Sequence, residues 1–217
     1  MMEENKLEKA IPASTAQKIY DFMGKSYDWF GSFDARAKTR GLELLEAKPG
    51  ESILEVGVGT GKLHSLIAST VQPGGMTVGI DISVAMLRIA RQRTKSPMCR
   101  ADARCTPFVD SYFSHIFMSY VLDLLPSVEI PAVLASLWRV LQPGGSMVVV
   151  ALTEGVDRPS RMLVAAWKAA YAVSPLVCAG CRPLQLNAMV EKAGFTGVHR
   201  EVVVQMTVPS EIIVAEK

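Results

Sequence analysis

The sequence lacks any apolar run long enough to cross a bilayer. A spanning helix needs roughly 18 or more apolar residues in succession, and the most apolar helical pattern, at 162–173, is interrupted by Lys168. The first ten residues carry charges of both signs and lack the apolar core of a secretory signal. We therefore expect a cytoplasmic protein whose only contact with a membrane would be peripheral.

Cysteine and net charge are scarce as well. Four Cys in 217 residues are too few for a disulfide framework, and we expect their thiols to be reduced. The 23 Lys and Arg nearly balance the 21 Asp and Glu, so the net charge of +2 creates no field that would gather a phosphate backbone. We expect no nucleic-acid partner, and we interpret the basic residues between Arg88 and Arg104 as a solvated helix face.

Short β-branched runs alternate with helical patterns from Pro49 onward. Strands are predicted at 52–56, 76–80, 98–101, 113–120 and 146–152, and helices at 62–70, 83–93 and 128–141. A strict succession of strand and helix requires parallel pairing with right-handed crossovers. The predicted fold class is therefore α/β, with a doubly wound, Rossmann-like sheet that binds ligands outside the carboxyl ends of its strands.

The C-terminal part of the chain changes character. Residues 197–205 and 211–215 are predicted to be two strands that turn at Pro209, and this antiparallel hairpin would complete a seven-stranded, mostly parallel sheet. Two helical segments rich in aromatics lie outside the alternation. We expect residues 1–47 to form a helical N-terminal cap and residues 48–217 to form the ligand-binding domain, with a helical insert at about 154–183.

A glycine-rich turn, Glu55-Val-Gly57-Val-Gly59-Thr-Gly61, follows the first predicted strand and opens a helix. Alternate glycines let the backbone approach a ligand closely and present N–H donors to it. The turn is not a P-loop, because Leu63 follows Lys62, and its glycine spacing differs from the dinucleotide fingerprint. The acidic Glu55 would repel a pyrophosphate but suits a ligand with an amino group and a sulfonium, a description that fits S-adenosylmethionine.

Five motifs in order carry a family resemblance. They are ILEVGVGTGKL (53–63), GIDIS (79–83), ADA (101–103), SYVLDLLP (119–126) and LQPGG (141–145). Together they resemble the class I S-adenosylmethionine-dependent methyltransferases. The resemblance implies that S-adenosyl-L-methionine is the methyl donor, that no metal is needed, and that the residues matching the family's motifs bind the cofactor.

The resemblance assigns each matching residue to one part of the cofactor. The methionine end would be held by Glu55 and the backbone of Gly57, Gly59 and Gly61. The ribose hydroxyls would be held by the Asp81 carboxylate. The other matching residues would serve the adenine and the methyl group: Ile82 and Met86 flanking the adenine, Asp102 and Ala103 meeting its amino group, and Ser119 and Tyr120 lining the methyl-donor end.

The methyl acceptor is less clearly indicated. The set Asn/Asp-Pro-Pro-Tyr/Phe, which marks nucleobase and protein-amide N-methyltransferases, is replaced here by residues 119–122, Ser-Tyr-Val-Leu. Residues 20–30 are similar to a Tyr-Asp stretch of quinone-biosynthesis and small phospholipid N-methyltransferases, and Tyr27 would then close over the cofactor. An amphipathic helix that uses its aromatics as core explains the same segment. We expect a small apolar or lipid-like acceptor, a quinone or isoprenoid ring or a phospholipid amine.

Three further features leave alternatives open. The apolar helix within the insert predicts either a lid or a surface that rests against lipid. Cys178 and Cys181 would suit arsenite methylation as a minor alternative, but we favour core or loop cysteines, and the scattered His residues do not complete a zinc site. A non-catalytic S-adenosylmethionine-binding module would also use this fold. Asp123, Tyr120 and His199 are candidate general bases, and the sequence does not choose among them.

Overall fold

A computed structural model describes residues 34–217, together with Thr15 and Ile19, which are both helical. The strands are β1 Ser52–Val56, β2 Met76–Asp81, β3 Met98–Arg100, β4 Phe113–Ser119, β5 Leu141–Leu152, β6 Thr196–Gln205 and β7 Val208–Glu216. The helices are α1 Ala35–Leu45, α2 Lys62–Thr70, α3 Val84–Ala90, α4 Ile130–Val140, α5 Arg158–Val173 and α6 Asn187–Lys192. Short 3₁₀ turns lie at Ala103–Cys105, Leu122–Leu124 and Pro175–Cys178.

The strands form one sheet in the order β3-β2-β1-β4-β5-β7-β6. Neighbours from β3 to β5 pair in parallel, and β7 pairs antiparallel with both β5 and β6. The predicted doubly wound sheet with an antiparallel C-terminal hairpin is confirmed. Because the chain leaves β1 towards β3 on one side and returns to β4 on the other, a crevice opens between β1 and β4, where such sheets bind ligands.

Helices cover both faces of the sheet, and this explains why its central strands are apolar throughout. On one face, α1 and α2 pack over a core that includes Ile53, Phe117 and Val150. On the other face, α4 and α6 pack over a core that includes Leu54 and Met118.

Helix α1 packs directly on the sheet. Gly41 of α1 makes this possible, because a Cβ there would stand 3.0 Å from Cγ2 of Val150. Arg40 of the same helix donates to both carboxylate oxygens of Glu201 on β6, at 2.9 and 2.8 Å. These contacts fix α1 across the end of the sheet that carries the crevice.

The C-terminal hairpin turns at a different place from the one predicted. Pro209 lies inside β7, opposite Val204 of β6, and the turn is made by Met206 and Thr207 at φ of 49° and 68°. The prediction of a turn at Pro209 was wrong because both turn residues adopt the left-handed conformation without the glycine or asparagine that normally signals it.

The segment after β5 contains α5, which lies within the predicted insert at about 154–183. Asp157 caps the helix by accepting from the backbone N–H of Ser160 at 2.8 Å. Only Ser160, Val164 and Tyr171 of this helix are buried. Its apolar residues therefore face outwards for the most part, with Met162 75% and Val173 86% exposed. In the described part of the chain, no helix is long and apolar enough to cross a membrane.

Most of the predicted cap at 1–47 lies outside the described residues. The part that is described, α1, packs on the same sheet as the rest of the chain. Tyr27 also lies outside the described residues, and so do all of residues 20–30.

Candidate functional site

A pocket of about 350 Å³ opens at the carboxyl ends of β1 to β4, in the crevice between β1 and β4. It brings together the predicted site residues Glu55, Gly57, Gly59, Asp81, Ile82, Met86, Asp102, Ala103, Ser119 and Tyr120. Gly61 is not among its lining residues. Residues that are distant in sequence therefore meet at one place because their strands are parallel and end at one edge.

The glycine-rich turn runs along this pocket with all three glycines in the left-handed region, at φ of 76°, 51° and 80°. Gly57 is needed for packing, since a Cβ there would stand 2.3 Å from Cγ2 of Val121. Gly61 is needed where α2 meets α3, since its Cβ would stand 2.7 Å from Cβ of Ala90. Only at Gly59 would the Cβ meet no protein atom within 4 Å. Gly59 is therefore the glycine of this turn that leaves open space on the pocket side.

Glu55 lies on the pocket wall although it is only 2% exposed. Its Oε2 lies 2.7 Å from Nδ1 of His64, which is wholly buried on α2. Burial raises the pKa of Glu55, and the hydrogen bond with His64 opposes that rise. The sequence pointed to Glu55 but gave no sign of its partner.

Asp81 ends β2 and ties the glycine-rich turn to the start of α3. Its Oδ2 accepts from the backbone N–H of Gly59 at 2.9 Å, and its Oδ1 accepts from that of Ser83 at 2.8 Å. Ser83 is the N-cap of α3 and accepts from the N–H of Met86 at 3.1 Å. Ser83 therefore caps α3, and helix capping does not explain why Asp81 lies at the pocket.

Asp102 and Arg104 form an ion pair at the other end of the pocket. Arg104 donates from Nη2 to Asp102 at 2.6 Å and from Nη1 to Glu129 at 2.9 Å. The hydrogen bonds from Arg104 hold the pKa of Asp102 below its ordinary value, against the opposite effect of burial. The interpretation of Arg104 as part of a solvated face was wrong, because it lines the pocket and is held by two carboxylates.

Tyr120 follows β4 in a left-handed conformation, at φ 53°, which costs a non-glycine residue about 1 kcal/mol or more. Three contacts hold it there. Its backbone N–H donates to the carbonyl of Val150 at 2.7 Å, its hydroxyl lies 2.6 Å from that of Ser210, and Nζ of Lys38 lies 5.3 Å from its ring centre. Tyr120 is therefore a fixed part of the pocket wall.

Residues of α1 and its N-cap Asp34 complete the pocket, and the sequence pattern did not single them out. Asp34, Lys38 and Thr39 all line it. Lys38 Nζ lies 2.6 Å from Oδ2 of Asp34, and the pair stands beside Tyr120. The spacing of these two residues, four apart, is typical of a helix ion pair, but only the packing of α1 on the sheet shows that the pair faces the pocket.

The candidate bases are placed very differently. His199 is exposed on β6, next to Glu201. Tyr120 already shares its hydroxyl with Ser210. Asp123 is wholly buried, its Oδ2 accepts from the N–H of Leu152 at 3.4 Å, and its Oδ1 has no hydrogen-bond partner. Burial raises the pKa of Asp123 to about 7.

All four cysteines are free thiols, and of the predicted pair Cys178 is buried whereas Cys181 is partly exposed. Cys178 is buried and donates to the carbonyl of Trp167 at 3.7 Å, and burial raises the pKa of its thiol. A raised pKa disfavours the thiolate that binds metals or arsenic. Among residues 34–217, Thr15 and Ile19, no group of three or more His, Cys, Asp or Glu could hold a metal ion.

The pocket as a whole suits a cationic ligand better than a pyrophosphate. Its wall carries the carboxylates of Asp34, Glu55, Asp81 and Asp102 against the basic groups of Lys38, Lys62 and Arg104. Two of these acids are paired with bases, Asp34 with Lys38 and Asp102 with Arg104. Glu55 stands at the glycine-rich turn, where a dinucleotide would place its phosphates.

Comparison with known proteins gives a consistent result. Residues 53–145 match a family profile described as a methyltransferase domain. Over 162 residues the chain is 33% identical to the demethylmenaquinone methyltransferase of Symbiobacterium thermophilum, an alignment that covers 65% of this chain and 61% of that protein. Over 145 residues it is 28% identical to the ubiquinone/menaquinone biosynthesis C-methyltransferase UbiE of Legionella pneumophila, covering 61% of this chain and 57% of that protein. The chain spans less than two thirds of the length of either relative.

Solved structures share the fold. A chain solved together with the Haloferax volcanii Trm112 methyltransferase activator superposes with a TM-score of 0.69 at 14% identity, covering 91% of this chain and 96% of that chain. Phosphoethanolamine N-methyltransferase 2 of Haemonchus contortus, solved in complex with S-adenosyl-L-methionine, superposes with a TM-score of 0.66 at 17% identity, covering 91% of this chain and 57% of that chain. At these identities the likeness concerns the fold.

Proposed function

Because residues 53–145 match a methyltransferase-domain profile, we propose that this protein is a class I methyltransferase that transfers a methyl group from S-adenosylmethionine to a small apolar acceptor, a quinone or isoprenoid ring. The observation that carries the proposal is the pocket itself. Glu55, the Gly57–Gly59 backbone and Asp81 meet there at the carboxyl ends of β1 and β2.

We propose that the pocket residues bind the cofactor in the order in which their strands lie. Glu55 receives the ammonium group of the methionine moiety, and Gly59 leaves room for its chain. Asp81 accepts from the ribose hydroxyls with the same oxygens that order the turn. The remaining residues serve the adenine and the methyl-donor end: Ile82, Met86, Asp102 and Ala103 at the adenine, and Ser119 and Tyr120 at the methyl group. Tyr27 closes over the cofactor, and Gly61 shapes the turn at the methionine end by letting α2 pack on α3.

S-adenosylmethionine, when bound, supplies a methyl group on a sulfonium, which is a strong electrophile. The task of the protein is then to hold that methyl in line with the acceptor and to exclude water. Tyr120 is suited to this task, because its backbone and side chain are both fixed beside the donor end of the pocket. Apolar side chains of Val121, Leu124 and Leu125 line the adjoining wall and would contact an apolar ring.

A quinone or related ring is the acceptor class that the comparisons favour. The relatives in Symbiobacterium thermophilum and Legionella pneumophila are both named for quinone methylation. A phospholipid amine is a weaker candidate, because the Haemonchus contortus enzyme is similar in fold alone and is named for phosphoethanolamine, which has no acyl chains. Neither the buried thiol of Cys178 nor the comparisons support arsenite as the acceptor or a module without turnover.

Because such acceptors partition into lipid, we propose that the protein is cytoplasmic and touches the membrane through the outer face of α5. Met162 and Val173 are largely exposed on that face, and the adjacent turn adds Leu176 and Val177 at 57% and 70% exposure. Arg158 is exposed in the first turn of α5 and suits anionic headgroups.

Calorimetric titration tests the cofactor proposal. The protein should bind S-adenosylmethionine and S-adenosylhomocysteine, but not NAD. Asp81→Asn should weaken binding of S-adenosylhomocysteine at least tenfold, because it removes a charged acceptor of the ribose hydroxyls. Asp110→Asn is the matched control, since that carboxylate is 75% exposed and pairs with Arg139. Binding of NAD in preference to S-adenosylhomocysteine would refute the proposal.

Acceptor identity is tested with a labelled methyl donor. The protein is incubated with labelled S-adenosylmethionine and, separately, with a reduced demethylated quinone, phosphatidylethanolamine or arsenite. We expect label in the quinone product only. Label in the lipid or the arsenic product, or in none of them, would overturn the acceptor assignment while leaving the cofactor assignment intact.

A further inference from the structure

His64 is a wholly buried polar residue that the proposed reaction has not used. It lies in the first turn of α2, directly after the glycine-rich turn. Its Nδ1 lies 2.7 Å from Oε2 of Glu55. Neither side chain is more than 2% exposed. Burying two titratable groups is costly unless they satisfy each other, so their contact calls for an explanation.

The sheet provides the space that the imidazole fills. Gly79 of β2 lies directly opposite Glu55 of β1 in the parallel register. A Cβ at Gly79 would stand 2.8 Å from Cε1 of His64 and 2.4 Å from Cγ1 of Val58. Any larger residue at position 79 would therefore push the ring away from Glu55. A glycine inside a buried strand marks such a close approach.

The surroundings of the ring favour one protonation state. Nε2 of His64 is buried and has no hydrogen-bond partner. A proton on Nε2 would be a buried donor without an acceptor, and an imidazolium would in addition bury a charge. The neutral ring with its proton on Nδ1 avoids both costs. In that state Nδ1–H donates to Oε2 of Glu55, and such a donor favours the ionised form of the carboxyl group.

This donor opposes the effect of burial on Glu55. Burial raises the pKa of Glu55, while His64 and the nearby Lys38 lower it and Asp81 raises it. Without the His64 donor, Glu55 would take up a proton more readily. A neutral carboxyl group does not attract an ammonium group as a carboxylate does.

We propose that His64 is a positioning residue for the cofactor: its Nδ1–H keeps Glu55 ionised and aligned at the pocket wall, where Glu55 receives the ammonium group of the methionine moiety. The inference rests on the proposed function, because it assumes S-adenosylmethionine in this pocket. It adds that cofactor affinity depends on a residue that does not line the pocket.

Two ligands that differ in the ammonium group test this role. S-adenosylhomocysteine carries the amino-acid end, and methylthioadenosine lacks it. His64→Leu should weaken binding of S-adenosylhomocysteine at least tenfold, because the buried Glu55 then takes up a proton more readily, and the loss should become smaller as the pH of the titration is raised. Binding of methylthioadenosine should stay within twofold of the wild type. Equal weakening of both ligands, or of neither, would overturn the inference.

Matched variants separate positioning from packing. His64→Gln retains an N–H donor, and it should restore most of the affinity for S-adenosylhomocysteine. Ile67→Val lies on the same helix in a wholly buried position and should leave the ratio of the two affinities unchanged. A long-range ¹H–¹⁵N spectrum of the wild-type protein needs no variant and should show the neutral Nδ1–H tautomer of His64. The Nε2–H tautomer or an imidazolium would contradict the inference.

The same titrations distinguish an error in the proposed cofactor from an error in the proposed role of His64. If the wild-type protein bound neither nucleoside, the proposed cofactor would be wrong. If it bound both, and His64→Leu changed neither affinity selectively, only the role of His64 would be wrong.

Discussion

Gly59 differs from the two glycines beside it in what surrounds it. Gly57 and Gly61 leave room for Val121 and Ala90, whereas beside Gly59 no protein atom lies within 4 Å of an added Cβ. The repeated glycine in the sequence therefore serves two purposes. Two of the positions allow the turn to pack, and one leaves the volume that a ligand would occupy.

This difference predicts the behaviour of Gly59→Ala. The alanine is strained at φ 51° and should lower the free energy of unfolding by about 1 kcal/mol. Its methyl group projects into open space at the pocket, so binding of S-adenosylhomocysteine should fall at least tenfold. Gly144→Ala is the control, because Gly144 has φ 74°, no atoms within 4 Å and a position outside the pocket. It should lose similar stability in chemical denaturation without losing affinity; equal affinity loss in both would contradict the prediction.

Asp123 predicts an unusual pH dependence of stability. Its pKa is about 7 in the folded protein because of burial, and about 3.9 in the unfolded chain. Between these values the folded state binds more protons, so the contribution of this group to stability falls as pH rises from about 4 to about 7.

Thermal melting of Asp123→Asn checks this sign. The Tm of the variant minus the Tm of the wild type should increase as pH rises from 5 to 7.5, because the amide cannot ionise. In Asp110→Asn, where the carboxylate is exposed, the corresponding difference should stay nearly constant. A difference for Asp123→Asn that does not change with pH would show that the carboxyl group titrates normally.

At the scale of the element, the residues that stabilise α5 are different from those exposed on its outer face. The reciprocal hydrogen bonds of Asp157 and Ser160 secure its first turn, and Trp167 donates from Nε1 to the carbonyl of Cys181 at 2.8 Å. Met162 and Val173 contribute little to this, since both are largely exposed. These two apolar side chains are therefore available to contact a membrane surface or an apolar acceptor.

The double variant Met162→Gln/Val173→Gln tests the membrane contact. Each apolar side chain contributes about 1.5 kcal/mol on transfer from water, so binding to phosphatidylglycerol–phosphatidylethanolamine vesicles should weaken more than tenfold in a sedimentation assay. The Tm should stay unchanged, and the unchanged net charge removes an electrostatic explanation. Val128→Gln, 81% exposed next to α4, is the control and should bind vesicles as the wild type does. Equal binding by all three proteins would exclude α5 as the contact.

At the scale of the whole molecule, the pocket links elements from much of the sheet. Its walls come from α1, from the turns after β1 and β2, and from the segments that follow β3 and β4. A ligand that fills it contacts all of these in the folded state and none of them together in the unfolded chain. Binding should therefore stabilise the molecule as a unit.

Thermal shift measurements check this linkage. At a ligand concentration of one hundred times Kd, S-adenosylhomocysteine should add about 2.7 kcal/mol, which raises Tm by about 5 to 10 °C for a domain of this size. NAD at the same concentration should leave Tm unchanged, because Glu55 would face its pyrophosphate. A larger shift with NAD would contradict the charge argument for this pocket.

The features that were predictable from the sequence are those set by interactions between residues close together in the chain. The strand and helix alternation follows from patterns within ten or so residues, and the predicted sheet is confirmed. The turn at Met206 and Thr207 was missed because it depends on backbone conformations that those residue types rarely adopt. Arg104 and Lys38 were missed for another reason: a charged side chain on a helix or loop has the same local sequence whether it faces solvent or a pocket.

The sequence by itself determined the parallel sheet and the residues at the ends of its strands, because periodicity and glycine spacing act through the backbone of one segment at a time. Only the tertiary structure decided which of these residues share a wall: that Gly61 packs on Ala90, that Arg104 pairs with Asp102, and that His64 reaches Glu55 across the space left by Gly79. Each of these contacts joins residues from different elements, and their distance is set by how helices pack on the sheet.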